Sequence, residues 1–467
     1  MMLLQRLRDI AGAAHVLTAP EDTAPYLTDW RRRFTGRAHA VVLPSNVSEV
    51  AALVSACTDL RVPIVPQGGN TGLVGGGIPS ESGNAIVLSL RRMNRVRETD
   101  AINGTITVEA GCVLHDVQQA AHDAGRLFPL SLAAEGSATI GGNLSTNAGG
   151  TQVLRYGNAR ELALGLEVVL PSGETWNGLR GLRKDNTGYD LRDLFIGAEG
   201  TLGVITAACL KTFPLPRAQV TALFALDAVA PALALLALAQ AVTGPTLTAF
   251  EFFSDVCMQL VTRHFPDQRS PFDRTHPQYV LLQLSDHEDA AHAATLLQAL
   301  AEQALDKQLI ADAVIAQSTA QSRSLWMLRE HISEAQAREG KNIKHDISVP
   351  ISSIARFIDE TDGLLAQRFP GVGMVTFGHL GDGNLHYNVM PPAGMADDRF
   401  FAQQPAIYQC VHDQVTRFAG SISAEHGVGQ LKRDENARYK SAVEMNLMRA
   451  IKRTLDPLNI MNPGKVV

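Results

Sequence analysis

The stretch that most restricts how this chain can fold is Gly378-His-Leu-Gly-Asp-Gly-Asn-Leu-His-Tyr-Asn388. Apolar runs of strand character flank it, residues 372–377 before and 387–390 after. An Asp-Gly pair so flanked, here Asp382-Gly383, is a strong hairpin signal, because a type I′ turn requires positive φ at both central residues. With a two-residue turn, pairing outward matches Gly381 with Asn384, Leu380 with Leu385 and His379 with His386. Directly opposed residues share a face, with Cβ atoms about 4.5–5.5 Å apart. Two imidazoles so placed can hold one metal ion, and Asn388 falls on the same face. Two exposed polar histidines in a Gly-rich turn would satisfy the hairpin as well. The balance shifts with Ser423-Ala-Glu-His-Gly-Val-Gly429, a second group of ligand-type side chains. Glu425 completes a set of two His and one carboxylate with an open coordination position, the pattern of catalytic rather than structural zinc. His426 is then left beside the metal as a base.

A chain of 467 residues exceeds one ordinary core, so two or three domains are expected. A net charge of −6 without a basic face argues against nucleic acid as a partner. Five cysteines (Cys57, Cys112, Cys209, Cys257, Cys410) contain no Cys-x-x-Cys pair. This argues against an iron–sulfur module and fits a reducing, cytoplasmic setting. Residues 1–14 carry Arg6, Arg8 and Asp9 and are too polar for a secretory signal. Residues 220–242 are the most apolar stretch, but Asp227 and Pro231 interrupt them. They read as a strand over 220–226 followed by an Ala/Leu helix, and no transmembrane segment is expected.

Early in the chain, Asp29-Trp-Arg-Arg-Arg-Phe34 is either a solvated face or the rim of an anionic entrance. Strands are expected over 41–44 and 62–66, with Ser45 capping the helix between them. Directly afterwards, residues 67–77 hold six glycines in eleven positions. Such a backbone can approach an anion closely and point successive N–H groups at it. The pattern is neither Gly-x-Gly-x-x-Gly nor a P-loop. Three further stretches, 135–150, 184–190 and 197–205, repeat the Gly/Ser/Asn/Thr composition. Strand-like runs at 106–109 and 162–170 separate them. Four such loops suit an extended ligand lying across several strand ends.

The motifs Pro66-Gln-Gly-Gly-Asn-Thr-Gly72, Ile140-Gly-Gly-Asn143, Thr146-Asn-Ala-Gly-Gly150, Arg183-Lys-Asp-Asn-Thr-Gly-Tyr-Asp-Leu191 and Gly197–Gly203 now stand beside the hairpin and the Glu425-His426 cluster. Together they resemble the flavoproteins of the vanillyl-alcohol oxidase and p-cresol methylhydroxylase fold, in the branch of FAD-dependent D-2-hydroxyacid dehydrogenases. The resemblance spans roughly residues 38–467. It implies an α+β architecture. Residues 1–37 would form an N-terminal segment and 38–217 a two-subdomain FAD-binding domain. Residues 218–419 would be a substrate (cap) domain with an antiparallel sheet, and 420–467 a helical C-terminal segment returning to the flavin.

By resemblance, Gly68, Gly69, Asn70, Thr71 and Gly72 would hold the FAD pyrophosphate, with Pro66 and Leu73 beside them as further cofactor-binding residues. Ser137, Gly142, Asn143, Thr146, Asn147 and Gly149 would meet the isoalloxazine and ribityl region, and Gly200 and Ile205 the adenosine half. Relatives with covalent flavin carry a His after the Gly-Gly pair. Asn70 stands there in this chain, so noncovalent FAD is expected. On a helix-like segment over 322–338, Arg329 and Ser333 lie four apart and would share a face. With Lys344 they are implied to bind substrate carboxylates, although Arg329 beside Glu330 also reads as an ordinary surface charge pair. Ser333 stands where the family has Thr.

The implied reaction is metal-assisted oxidation of a D-2-hydroxy acid, with zinc the first choice at His379, His386 and Glu425. His426 takes the hydroxyl proton, Asn388 orients the substrate, and hydride passes from C2 to flavin N5. D-2-hydroxyglutarate, giving 2-oxoglutarate, is the first-choice substrate, with D-lactate and D-malate as rivals. With no second redox centre in view, an external acceptor is implied, an electron-transfer flavoprotein or a quinone. Any self-association would give a homodimer. A metal-dependent hydrolase would use the same His and Glu residues but leaves the Gly-rich loops idle. A non-catalytic FAD-fold module leaves the metal set idle.

Overall fold

The computed structural model describes residues 2–467. The chain divides into two compact units. Unit 1 takes the residues up to Gly149, then Gly157–Leu215 and Glu425–Val467; unit 2 takes Gly150–Tyr156 and Pro216–Ala424. The crossing of residues 150–156 into unit 2 departs from the boundaries expected from sequence. Its physical cause is local: Leu154 packs on the core of that unit, and Arg155 Nη1 donates to Ser285 O at 2.7 Å. No helix among the described residues is long and apolar enough to cross a membrane.

Unit 1 contains two main sheets. In the first, Ala40–Val42, Ile86–Ser89 and Ile64–Gln67 run parallel, and Val16–Leu17 adds an antiparallel edge. These strands are short and buried on both faces, as parallel strands usually are. The helix Val47–Leu60 makes the crossover from Ala40–Val42 to Ile64–Gln67. Its cap is Asn46, one residue later than expected, with the side chain accepting Glu49 N at 2.9 Å. Ser45 instead donates Oγ to the Glu49 carboxylate at 2.8 Å, so both residues close the same first turn. The second sheet has five antiparallel strands in the order Val96–Asp100, Thr105–Glu109, Val204–Lys211, Ala163–Val169, Thr175–Asn177.

Unit 2 is built on a seven-stranded sheet whose neighbouring strands are all antiparallel. Its order is Asp312–Ile315, Ala218–Leu226, Gln278–Asp286, Leu247–Ser254, Gly373–His379, Asn384–Met390, Asp346–Ser348. Alternation along each strand gives two apolar faces. The larger core, with Phe224, Phe250, Phe252 and Leu282, includes side chains of Ala230–Thr243, Ala290–Asp306, Ile354–Arg368 and Gln404–Arg417. The smaller, with Leu223, Phe253, Leu281 and Phe377, includes side chains of Asp255–His264, Thr319–Glu330 and Ile332–Glu339. The apolar stretch over 220–242 resolves into the strand Ala218–Leu226 and the helix Ala230–Thr243, as its Asp and Pro interruptions suggest.

Candidate active site

In unit 1 the chain leaves the end of Ile64–Gln67 and runs through residues 68–85 without helix or strand before Ile86–Ser89. The C-terminal ends of parallel strands are where open α/β sheets bind ligands, and irregular loops of this length are usually functional. Glycine is required here by close approach. A Cβ on Gly69 would lie 1.9 Å from Ser137 O, and one on Gly68 2.3 Å from Thr139 Oγ1. Thr139 caps the short helix Ile140–Ser145, so the second Gly-rich stretch is helical in its middle rather than a loop throughout. Gly141 lets that helix press on Ala110, whose Cβ would stand 2.8 Å from an added Cβ.

These segments line one cleft. Pro66, Gly68, Gly69, Asn70, Thr71 and Gly72 form one wall. Gly142, Asn143 and Thr146 form a second, and Gly200 and Ile205 a third. Of the residues expected here, Leu73, Ser137, Asn147 and Gly149 are not in the lining. Ser137 instead backs the first loop through its carbonyl, and Asn147 Oδ1 accepts Arg160 N at 3.0 Å. The third Gly-containing stretch, 184–190, is exposed and also lies outside the lining, so three of the four stretches converge rather than all four.

The lining suits a large anionic cofactor. None of the N–H groups of residues 68–72 donates to a described residue. Asn143 is 5% exposed, and its Nδ2 has no acceptor among the described residues. Asn70 sits at φ 55°, and its Nδ2 donates to Pro25 O and Thr28 O at 3.2 and 2.9 Å. A buried donor left without an acceptor, as at Asn143, is costly unless a ligand takes it.

His426 lines the same cleft. It stands just before a turn wrapped around one carboxylate: Glu199 Oε1 accepts Val428 N at 2.7 Å and Oε2 accepts Gly429 N at 2.9 Å. Gly427 and Gly429 adopt φ of 80° and 51°, which this wrapping needs. Burial pushes the Glu199 carboxyl up to about 7, against the opposing pull of the two N–H groups and of Lys432 and Lys465. Sequence reading had placed Glu199 only within a Gly-rich motif; its partners lie 229 and 230 residues away.

In unit 2 the hairpin exists, with a different register. Phe377 opposes His386 and Thr376 opposes Tyr387, which puts His379 opposite Asn384 and makes the connection four residues, 380–383. Asp382 does not have positive φ, whereas Gly383 has φ 89°, so the type I′ turn expected from the Asp-Gly pair is not formed. Leu380 is buried in the larger core, and Gly381 N donates to Phe250 O at 3.3 Å. Those contacts favour the longer loop. His379 and His386 are therefore diagonal rather than directly opposed, yet still on one face, with ring centroids 5.8 Å apart.

That face carries a polar band across four strands. Glu251 pairs with His379 in register, and Asp346 pairs with His386. The Glu251 carboxylate lies 2.7 Å from His379 Nδ1 through Oε1 and 2.9 Å from Arg329 Nη2 through Oε2. Burial works to raise the Glu251 carboxyl, but His379 and Arg329 outweigh it and hold the group below the ordinary carboxylate range. Arg329 is 7% exposed, with its guanidinium carbon 4.9 Å from the Phe377 ring centroid. Ser333 is exposed, and the segment read as one helix is interrupted at the single residue His331, between Thr319–Glu330 and Ile332–Glu339. Arg329 and Ser333 thus do not share one environment.

Lys344 is half-buried; the adjacent bridge between Ile343 and Val389 puts it opposite Asn388, on the histidine face by alternation. Asn388 is 2% exposed, donating Nδ2 to Gln336 Oε1 at 3.0 Å and accepting His345 N at 3.3 Å. The 421–424 segment joins this edge, with Ala424 N donating to Asp346 O at 3.3 Å. Glu425 is the next residue in the chain. Glu251 was missed in the sequence; the available signal was a lone acid inside the apolar run Phe250-Glu-Phe-Phe253.

The architecture is that of a p-cresol methylhydroxylase-type flavoprotein. A solved structure of p-cresol methylhydroxylase with substrate bound superposes with TM-score 0.76 at 17% identity, covering 100% of this chain and 96% of that one. The family of FAD binding domains matches residues 38–178, and that of the C-terminal domain of FAD linked oxidases matches residues 215–466. The chain belongs to the FAD-linked oxidase family and is a flavin-dependent oxidoreductase. It is 41% identical over 460 residues to D-2-hydroxyglutarate dehydrogenase of Xanthomonas citri pv. viticola, covering 98% of this chain and 96% of that protein. It is 40% identical over 457 residues to the mitochondrial D-2-hydroxyglutarate dehydrogenase of Bos taurus, covering 97% and 81%.

Proposed function

We propose that this chain oxidises a D-2-hydroxy acid to the 2-oxo acid, with D-2-hydroxyglutarate the preferred substrate. FAD would be noncovalent, and a divalent metal, zinc the first choice, would be held by His379, His386 and Glu425. The observation that carries the reading is the position of His426, an imidazole in the wall of the cleft whose other walls are the Gly-rich segments. A flavin cleft needs no imidazole merely to bind its cofactor; a base there serves chemistry on a bound substrate.

When bound, FAD accepts hydride at N5, and the metal ion lowers the pKa of a hydroxyl coordinated to it. His426 takes the C2 hydroxyl proton on a ring nitrogen, a task suited to a base with an ordinary pKa near neutrality. Three observations support the metal set. His379 and His386 share a face with rings 5.8 Å apart. The carboxylate beside His379 Nδ1 leaves Nε2 as the ligating nitrogen. Glu425 follows Ala424, which is hydrogen-bonded to the strand partner of His386.

Arg329, Ser333 and Lys344 would bind the substrate carboxylates, and Asn388 would orient the substrate. A second carboxylate on the substrate would add a charge-assisted contact to this group of donors. Reoxidation would fall to an external acceptor, an electron-transfer flavoprotein or a quinone. Steady-state rates on D-2-hydroxyglutarate, D-malate and D-lactate with a dye acceptor test the reading. Highest kcat/KM on D-2-hydroxyglutarate is expected; equal or better use of D-lactate would remove the second-carboxylate argument.

A further inference from the structure

We infer that Glu251 is a positioning residue that holds a metal ligand and a substrate-binding cation with a single carboxylate, dividing its two oxygens between His379 and Arg329. This deepens the proposed roles of His379 and Arg329 and rests on that reading.

Glu251 is 0% exposed and sits between Phe250 and Phe252, in a strand otherwise given over to two apolar cores. Stability alone is a poor reason for it. Replacing a buried ion pair by well-packed apolar residues is often neutral or stabilising. The geometry shows what the carboxylate does instead. Oε1 meets His379 Nδ1 at 2.7 Å, which sets the tautomer with the proton on Nδ1 and turns Nε2 outward as a ligand. Oε2 meets Arg329 Nη2 at 2.9 Å, off the line of a hydrogen bond. The guanidinium is otherwise held by the Phe377 ring, and its Nε and Nη2 have no hydrogen-bond acceptor among the described residues. Arg329 is thus kept in place by charge and stacking, with N–H groups not committed to Glu251. Phe377 also touches His386, with ring centroids 4.8 Å apart, so the cation and both histidines share one packed group.

The two contacts of Glu251 act on the metal with opposite signs, and this separates positioning from packing. Glu251→Gln keeps the volume and an acceptor for His379, but removes the negative charge that makes the ring a better ligand. Arg329→Gln removes a positive charge from the neighbourhood of the same ring. Damage to packing would weaken metal binding in both variants, because each breaks the same ion pair.

The test is a zinc titration of metal-stripped, FAD-loaded protein against a chelating indicator, with flavin content measured in parallel. Glu251→Gln should bind zinc about 10- to 100-fold more weakly than wild type, the usual loss when the partner of a ligating His is changed. Arg329→Gln should bind no more weakly than wild type, and FAD content should be unchanged in both. Equal zinc affinity in Glu251→Gln and wild type overturns the inference alone, as does equal weakening in the two variants. A wild type that binds no zinc overturns the metal site and this inference with it. Should Glu251→Gln fail to fold, Glu251→Asp decides: the shorter carboxylate should also weaken zinc, and wild-type affinity would overturn the assignment.

Discussion

Replacing Glu199 by Gln should leave stability nearly unchanged at acid pH and raise it relative to wild type at alkaline pH. In the folded chain burial lifts this carboxyl to about 7 from an ordinary value of 4.5. Below about pH 4.5 both folded and unfolded chains hold the proton, and the group costs nothing. As pH rises through that value the unfolded chain ionises first. The native state therefore loses stability until the folded carboxyl ionises near 7. A gap of this size corresponds to about 3 kcal/mol, at about 1.36 kcal/mol per pKa unit. Opposing it is the acceptor role. Val428 N and Gly429 N donate to different oxygens of the carboxylate, at 2.7 and 2.9 Å. An amide offers only one oxygen, so one N–H would face an NH2 group, at a cost of about 1–3 kcal/mol.

The balance of these two terms makes the prediction. At pH 5 the folded wild-type carboxyl is itself protonated and offers only one carbonyl oxygen, so the variant should lie within about 1 kcal/mol of wild type. At pH 8 wild type carries the charge penalty and the variant does not, so the variant should be ahead. Urea or thermal unfolding of the FAD-loaded protein at both pH values measures this. Asp362 and Asp382, also raised by burial, to about 6, bend both profiles alike and cancel in the difference. The same substitution loosens the turn that follows His426. A displacement of about 1 Å can cost on the order of 100-fold in rate, so a fall in kcat with flavin content unchanged is expected. Parallel stability profiles from pH 5 to 8, with kcat untouched, would refute the reasoning.

Chelation of the metal should abolish turnover while FAD stays bound, because the cleft lining and the two histidines belong to different units; full activity in a verified metal-free sample would sink the metal assignment. His426→Ala should retain zinc and lose about 10²- to 10⁴-fold in kcat, the range for removing a general base, and loss of metal in that variant would argue for a ligand role instead. Wild type should favour D-2-hydroxyglutarate over D-lactate by about 10- to 100-fold, the worth of one charge-assisted hydrogen bond of about 1.5–3 kcal/mol from the half-buried Lys344 to the second carboxylate. Lys344→Met should narrow that gap by harming the diacid more, and an equal loss on both substrates would remove Lys344 from the second carboxylate. Acid precipitation should release the flavin into the supernatant, given that the Asn70 amide is turned to backbone carbonyls; a yellow pellet would contradict noncovalent binding.

Much of this was legible in the chain because it is local. The strands Ile64–Gln67, Thr105–Glu109 and Ala163–Val169 fall within a residue or two of the strand-like runs in the sequence, where β-branched and apolar residues cluster locally. The Gly-rich stretches announce close backbone approach, and the structure shows Gly68 and Gly69 pressed on residues 137–139. What was not legible is long-range. Glu251 meets His379 across 128 residues, and nothing near either one in sequence marks the other as its partner. Glu199 reads as part of a Gly-rich loop, though its carboxylate organises a turn near the far end of the chain. The helix break at His331 was hidden for a different reason. Its residues have acceptable helix propensity, and the break shows only in the burial of Arg329 beside an exposed Ser333.

The hairpin shows why a wrong register could still lead to a usable site. The Asp-Gly pair suggests a two-residue turn, but the chain spends Leu380 on the core and ties Gly381 to Phe250, which lengthens the connection to four residues. The resulting shift in pairing is two residues, and side chains alternate with a period of two. His379 and His386 therefore move from opposed to diagonal without leaving their face. A shift of one residue would have put one histidine among Phe250, Phe252 and Leu385 in the apolar core. The neighbouring strands exclude that outcome. On one side Glu251 is paired with His379, and on the other Asp346 with His386. A one-residue slip would bury at least one of these carboxylates against apolar side chains, at a cost of several kcal/mol. The charged band thus acts on the fold, holding the register of the strands that carry its histidines.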